Sequence, residues 1–196
     1  MADTVRTEAD LLASIPAPGS QDLSNQVLRD LVTTMFDLVE ETQHPMASCY
    51  IDPGEAHTAL TAVVTQDVYL KVAGTTTELT AMNNLAMSGN NKLLYSGSED
   101  FHFHVACSIT MTAVGSNKKI AFRLAKNGDA TTADAVATTI TRTVGTGTDF
   151  GAVAIHGDFT LSTNDYIELW GANSTDATDF TVTNFYFFAM GLPTTA

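Results

Sequence analysis

The side chains of this sequence that could do chemistry near neutral pH are few, and they are scattered. There are five histidines, His44, His57, His102, His104 and His156. Only His102 and His104 stand close, two residues apart, a spacing that puts both on one face of a strand. Two such imidazoles can share a metal ion, above all where copies of a chain converge on a symmetry axis. The competing reading is a polar strand face turned to solvent or to a wet interface. With no third ligand type nearby in sequence, neither metal nor cofactor is expected. The aspartates Asp129, Asp134, Asp149, Asp158, Asp176 and Asp179 fall in loops near glycine and asparagine, where calcium finds oxygen ligands. Turn aspartates more often bond their own backbone, and no Asp-x-Asp-x-Asp spacing occurs. The nucleophile elbow Gly-x-Ser-x-Gly, the phosphate loop Gly-x-x-x-x-Gly-Lys and His-Glu-x-x-His are all missing. No catalytic residue is expected, and the chain reads as a non-enzyme. A polysaccharide hydrolase would need paired carboxylates; Glu168 with a loop aspartate is the pair the sequence could offer.

Charge and composition exclude further classes. The net charge is −13, with no run of Lys or Arg, so a polyanion would be repelled and no nucleic-acid partner is expected. Hydrophobic residues make up 44% and charged residues 16%, a balance that builds a core rather than a disordered polyelectrolyte. No apolar run reaches the roughly 18 residues of a membrane span. The opening Met1-Ala2-Asp3-Thr4-Val5-Arg6 lacks a secretory pattern. Cys49 and Cys107 could form one bridge, but without an export signal they are expected as reduced core thiols in a chain assembled in cytoplasm.

The elements that must carry these residues fall into two parts, 1–46 and 47–196. In the first, Ile15-Pro16-Ala17-Pro18-Gly19-Ser20 is a joint no helix crosses. A helix follows, with Ser24 as N-cap and apolar residues at Val27, Leu28, Leu31, Val32, Met35, Phe36 and Val39. A helix this short needs something to dock on. Its polar side is acidic, which favours protein over an anionic bilayer. From Ala47 the helical period gives way to short alternating runs between Gly, Asn, Asp and Ser turns. In Phe101–Thr112 the odd positions are Phe, Phe, Val, Cys, Ile and Met and the even ones His, His, Ala, Ser, Thr and Thr, a long strand with one buried face. Shorter runs follow around Ile120, Phe122 and Leu124, then over 138–144, 153–161, 165–170 and 180–190. Earlier ones lie at 49–51, 59–64, 68–72 and 93–95. Many short strands with regular turns specify an all-β sandwich or barrel.

The last strand carries aromatic residues on both faces of a period-2 reading: Phe180, Val182, Tyr186, Phe188 and Met190 on one, Phe185, Phe187 and Ala189 with Thr181 and Thr183 on the other. A two-sheet sandwich buries one face of each strand. Phe185 and Phe187 are therefore expected to be covered by another copy of the chain, the competing cover being a loop or the N-terminal helix of the same chain. In Asp165-Tyr166-Ile167-Glu168-Leu169-Trp170 the aliphatic residues face the core, which turns Tyr166 and Trp170 outward toward the same kind of interface.

These strands resemble the trimeric jelly-roll heads of the TNF and C1q-like superfamily over roughly 47–192. The resemblance is carried by Phe103-His104-Val105, by Ile120-Ala121-Phe122-Arg123-Leu124-Ala125-Lys126-Asn127-Gly128, by Leu161-Ser162-Thr163-Asn164-Asp165-Tyr166-Ile167-Glu168 and by the aromatic last strand. It implies an all-β jelly-roll sandwich, preceded here by a short N-terminal arm and α-helix, and a homotrimer. The segment Leu11-Leu12-Ala13-Ser14-Ile15 with Ser24-Asn25-Gln26-Val27-Leu28-Arg29-Asp30 resembles one found ahead of such heads in tailed-bacteriophage structural proteins, with Gln26-Val27 where Gln-Asp is usual. Together the two resemblances imply a virion protein assembled in the host cytoplasm. It would be a trimeric capsid decoration or head fibre, held to the major capsid protein or another virion protein by its N-terminal segment. The alternative they imply is a receptor-binding tip of a tail fibre or spike, with a host surface glycan as partner.

Overall fold

In the computed structural model the described residues are 29–35, 44–51, 59–146 and 148–193. The chain divides into two units, Met1–Gln43 and His44–Ala196. Of the first, residues 29–35 are helical, within the stretch whose spacing predicts a helix.

Among the described residues the second unit has twelve strands: β1 (Met46–Ile51), β2 (Leu60–Thr61), β3 (Leu70–Lys71), β4 (Thr77–Met82), β5 (Leu85–Met87), β6 (Lys92–Tyr95), β7 (Phe101–Ala113), β8 (Lys118–Lys126), β9 (Ile140–Val144), β10 (Gly151–Leu161), β11 (Tyr166–Asn173) and β12 (Phe180–Pro193). Their hydrogen-bonded order is β10-β7-β12-β1-β4-β5-β6-β11-β8-β9, and the pairings are antiparallel. The path folds into two sheets, β10-β7-β12-β1 and β6-β11-β8-β9, bridged by β4 and β5. Neighbours in space are distant in sequence, as in β1 with β12 and β6 with β11, which is the jelly-roll arrangement. The β4–β5 connection is the pair Asn83-Asn84, with φ of 52° and 65°, the left-handed pair that a two-residue hairpin of matching twist requires. The expected Lys126-Asn127-Gly128-Asp129 turn forms in the same way, closed by Asp129 N donating to Lys126 O at 3.0 Å.

One core lies between the sheets. From β7 it takes Phe103, Val105, Cys107, Ile109 and Met111, the odd-numbered face the alternation marks out, and from β8 Ile120, Phe122 and Leu124. The rings of Phe122 (β8) and Phe180 (β12) meet edge to face at 5.7 Å across the sandwich. Asn91, buried ahead of β6, ties the second sheet together. Its Nδ2 donates to Leu169 O at 2.8 Å, and its Oδ1 accepts from Leu169 N at 3.0 Å. A one-turn helix, Ala133–Ala137, precedes β9, and because Thr138 caps its C-terminus the expected 138–144 strand begins only at Ile140.

The last strand corrects a central expectation. Phe185 and Phe187 are 1% and 0% exposed within a single chain, so no sister subunit is needed to cover them. The cause is a β-bulge. Val182 pairs with Met111 and Asn184 with Thr110, leaving Thr183 as an extra residue. One extra residue reverses the parity of everything after it. Phe180 and Val182 point inward before the bulge, and Phe185, Phe187 and Ala189 point inward after it. Residues split between two faces by strict alternation thus share one buried face, and Tyr186, Phe188 and Met190 take the outer one.

Candidate functional site

The outer face of the β10-β7-β12-β1-β4 sheet carries a row of exposed and half-buried apolar side chains. Registers arrange it in rows across the strands. One row runs Met82–Met46–Met190–His104–Asp158, the next Thr80–Ser48–Phe188–Ala106–His156, and a third Thr77–Tyr50–Tyr186–Ser108–Ala154. Tyr186 is 41% exposed, Leu192 47% and Met82 48%, while Tyr50, Phe188, Met46 and Met190 are half-buried. The face therefore has two halves. Methionine and aromatic side chains stand on β4, β1 and β12, and small or polar ones on β7 and β10. Beside Tyr186 the small residues Ser108, Thr110, Ala152, Ala154 and Asn184 leave an open dip of about 320 Å³. Apolar residues packed this closely on an open sheet face are what an interface uses.

The polar half holds the histidines. His104 and His102 are not brought together as a pair; they sit opposite Asp158 and Thr160 on β10. The partner of His104 is instead His156. Asp158 Oδ1 lies 2.8 Å from His104 Nδ1, and His104 Nε2 lies 3.4 Å from His156 Nδ1. The two rings are stacked at 5.5 Å. The sequence reading counted His156 among the histidines and placed Asp158 in a loop; both stand on β10, and their pairing with His104 was not read. The signal was available, since His156-x-Asp158 repeats on β10 the exposed i, i+2 spacing of His102-x-His104 on β7.

Tyr166 and Trp170 do point out of the core, but on the other sheet, so the four residues expected to share an interface do not form one surface. Both are half-buried by their own chain. Lys92 Nζ sits 3.8 Å over the Tyr166 ring. Trp170 Nε1 donates to Glu168 Oε2 at 3.2 Å, and Lys71 Nζ reaches Glu168 Oε1 at 2.5 Å. Both oxygens of this buried carboxylate are thus engaged. The loop aspartates are similarly occupied. Asp129 accepts from Thr131 N, Asp149 from Thr146 N and Asp179 from Val63 N. Asp176 is held by Lys118 and Thr178, and its pKa falls to about 2 through those hydrogen bonds, the lysine first. Among the described residues no three His, Cys, Asp or Glu side chains converge on a metal position.

Cys49 and Cys107 are free and buried. They flank Phe187 on the two neighbouring strands, so about two strand spacings, near 10 Å, separate them, too far for a disulfide. Burial pushes the Cys49 thiol up to about 12 and that of Cys107 well above its ordinary value. Of the expected anchoring stripe, Leu31 and Met35 are exposed and Val32 half-buried; Val27, Leu28 and Phe36 lie outside the described residues. Among the described residues no helix is long and apolar enough to cross a membrane.

No protein-family model matches the sequence, and no curated protein does. Among solved structures the chain is similar to murine APRIL in its pH 8.0 crystal structure, at 9% identity and a TM-score of 0.45, over 76% of this chain and 100% of that one. It is similar to murine APRIL at pH 5.0, at 8% identity and a TM-score of 0.44 over the same shares. It is also similar to the globular domain of zebrafish complement 1qA protein, at 12% identity and a TM-score of 0.39, over 76% of this chain and 95% of that one. At this distance no partner or ligand passes from those proteins to this one; the jelly roll is carried by this chain's own strand order.

Proposed function

We propose that this chain is a non-enzymatic structural protein whose jelly-roll head self-associates as a trimer through the outer face of the β10-β7-β12-β1-β4 sheet. The observation that carries this reading is the division of that face into a methionine–aromatic half and a small-residue half, side by side. A head-to-tail contact sets the aromatic half of one copy, led by Tyr186, against the dip beside Ala152 and Ala154 on the next. Such heterologous contacts close into a ring when the rotation allows. The place of the trimer is a tailed-bacteriophage virion, as a capsid decoration or head fibre. That part rests on the N-terminal resemblance and on the exposed Leu31 and Met35 of the helix, which leave an apolar stripe for another virion protein, the major capsid protein first.

Sedimentation of the full-length protein tests the assembly. The wild type should run at three times the chain mass, and Tyr186→Glu at one. A wild type that stays monomeric at high micromolar concentration refutes the self-association. For the anchoring role, removal of residues 1–20 should abolish incorporation into particles and leave a soluble trimer; retained incorporation refutes it.

A further inference from the structure

We propose that His104 and His156 form a binding site for a divalent transition-metal ion, zinc or nickel in kind, with Asp158 positioning His104. An ionised carboxylate only accepts hydrogen bonds, so at 2.8 Å from Asp158 Oδ1 it is His104 Nδ1 that donates. The neutral ring then presents its lone pair at Nε2. His156 Nδ1 lies 3.4 Å from that atom, beyond the usual 2.7–3.2 Å, or about 3 Å, of a nitrogen-donor hydrogen bond. It is also the distance between two nitrogens on a tetrahedral ion with bonds of about 2.0–2.1 Å, whose edge is about 3.3–3.4 Å. His156 becomes the second ligand by carrying its proton on Nε2. The Asp158–His104 contact has the form of the carboxylate–histidine pair that fixes the tautomer of metal-binding imidazoles.

The setting suits an ion. All three side chains stand on β7 and β10, whose pairing runs unbroken from Gly151 opposite Met111 to Leu161 opposite Phe101, so the positions are held by a ladder rather than a loop. His104 and Asp158 side chains are 46% and 60% exposed in the single chain, so an ion can reach them there. The chain's charge of −13 favours cations near its surface. No third protein ligand joins among the described residues, so water, or a group from another copy, completes the coordination. The three side chains belong to one chain, on the polar half of the same outer face that the proposed trimer uses.

Calorimetric titration of the full-length protein with zinc chloride near neutral pH should show saturable binding of one ion per chain. His104→Ala and His156→Ala should each abolish it, as should His104→Gln and His156→Gln, which keep side-chain bulk. Asp158→Asn, which alters no ligand, should weaken it by about 10–100-fold, while His102→Ala, on the same face, should leave it within about twofold. No saturable binding at millimolar zinc, or binding that survives loss of both His104 and His156, overturns the site. An Asp158→Asn variant as tight as wild type overturns the positioning role.

Discussion

Replacing Phe187 by alanine separates two roles that the sequence alone confuses. In the fold the ring is fully buried, between Cys49 on β1 and Cys107 on β7, with the Phe185 ring at 5.5 Å. Its loss removes the transfer energy of a buried aromatic side chain and leaves a cavity. The flanking cysteines are too small to fill it, and their strands are fixed in a paired sheet. Such truncations cost about 3–5 kcal/mol. For a unit of the size of His44–Ala196 each kcal/mol lowers Tm by about 2–4 °C, so a fall of roughly 6–20 °C is expected. The assay is thermal unfolding by circular dichroism at several protein concentrations, beside sedimentation of the same samples. Phe187→Ala should unfold early and, while folded, keep the wild-type mass. Tyr186→Glu, one residue away on the outer face, should change the stability of the folded chain by about 0.5 kcal/mol or less and lower the mass. A Phe187→Ala protein with unchanged Tm and weakened association would refute the bulge-based assignment of faces and restore Phe187 to the interface.

Asn91→Ala removes the side chain bridging Leu169 and Val72 and places alanine at a φ of 54°. Orphaned buried groups and left-handed strain together should cost about 2–4 kcal/mol, read as a lower denaturant midpoint. Gly171→Ala drives a methyl to within 2.6 Å of the Phe180 ring and 3.2 Å of Phe122, an overpacking of about 1–3 kcal/mol visible in the same measurement. The Asp176 pKa is depressed from 3.8 to about 2. Its contribution is therefore present above pH 3.8 and is lost as pH falls from there toward 2; Asp176→Asn should flatten stability against pH within that window and nowhere else. Cys49 and Cys107 should resist a thiol reagent at pH 8 in the native protein, since burial keeps both protonated, and both should react after unfolding in guanidinium.

The strands with one buried face were legible because alternation is a local property. Phe103 to Met111, and Ile120, Phe122 and Leu124, announce their inward sides without any knowledge of neighbours. Strands β4 and β5 were not legible. The β4 residues are exposed or half-buried on both sides, so Thr77–Met82 has no contrast to read. At the candidate site, Tyr186, Phe188 and Met190 were visible as aromatic and apolar residues, but their side of the sheet was not.

Composition, the turn residues and the period-2 pattern by themselves determined an all-β sandwich or barrel, because each depends on the chemistry of a few adjacent residues. The tertiary structure alone decided the rest. Whether β12 keeps or reverses its parity depends on how Thr183 is accommodated against β7, and that is a property of the pair. His104 meets His156 and Asp158 because the β7–β10 register brings together residues more than fifty positions apart, a contact fixed by backbone hydrogen bonds between strands and by no feature of either strand alone.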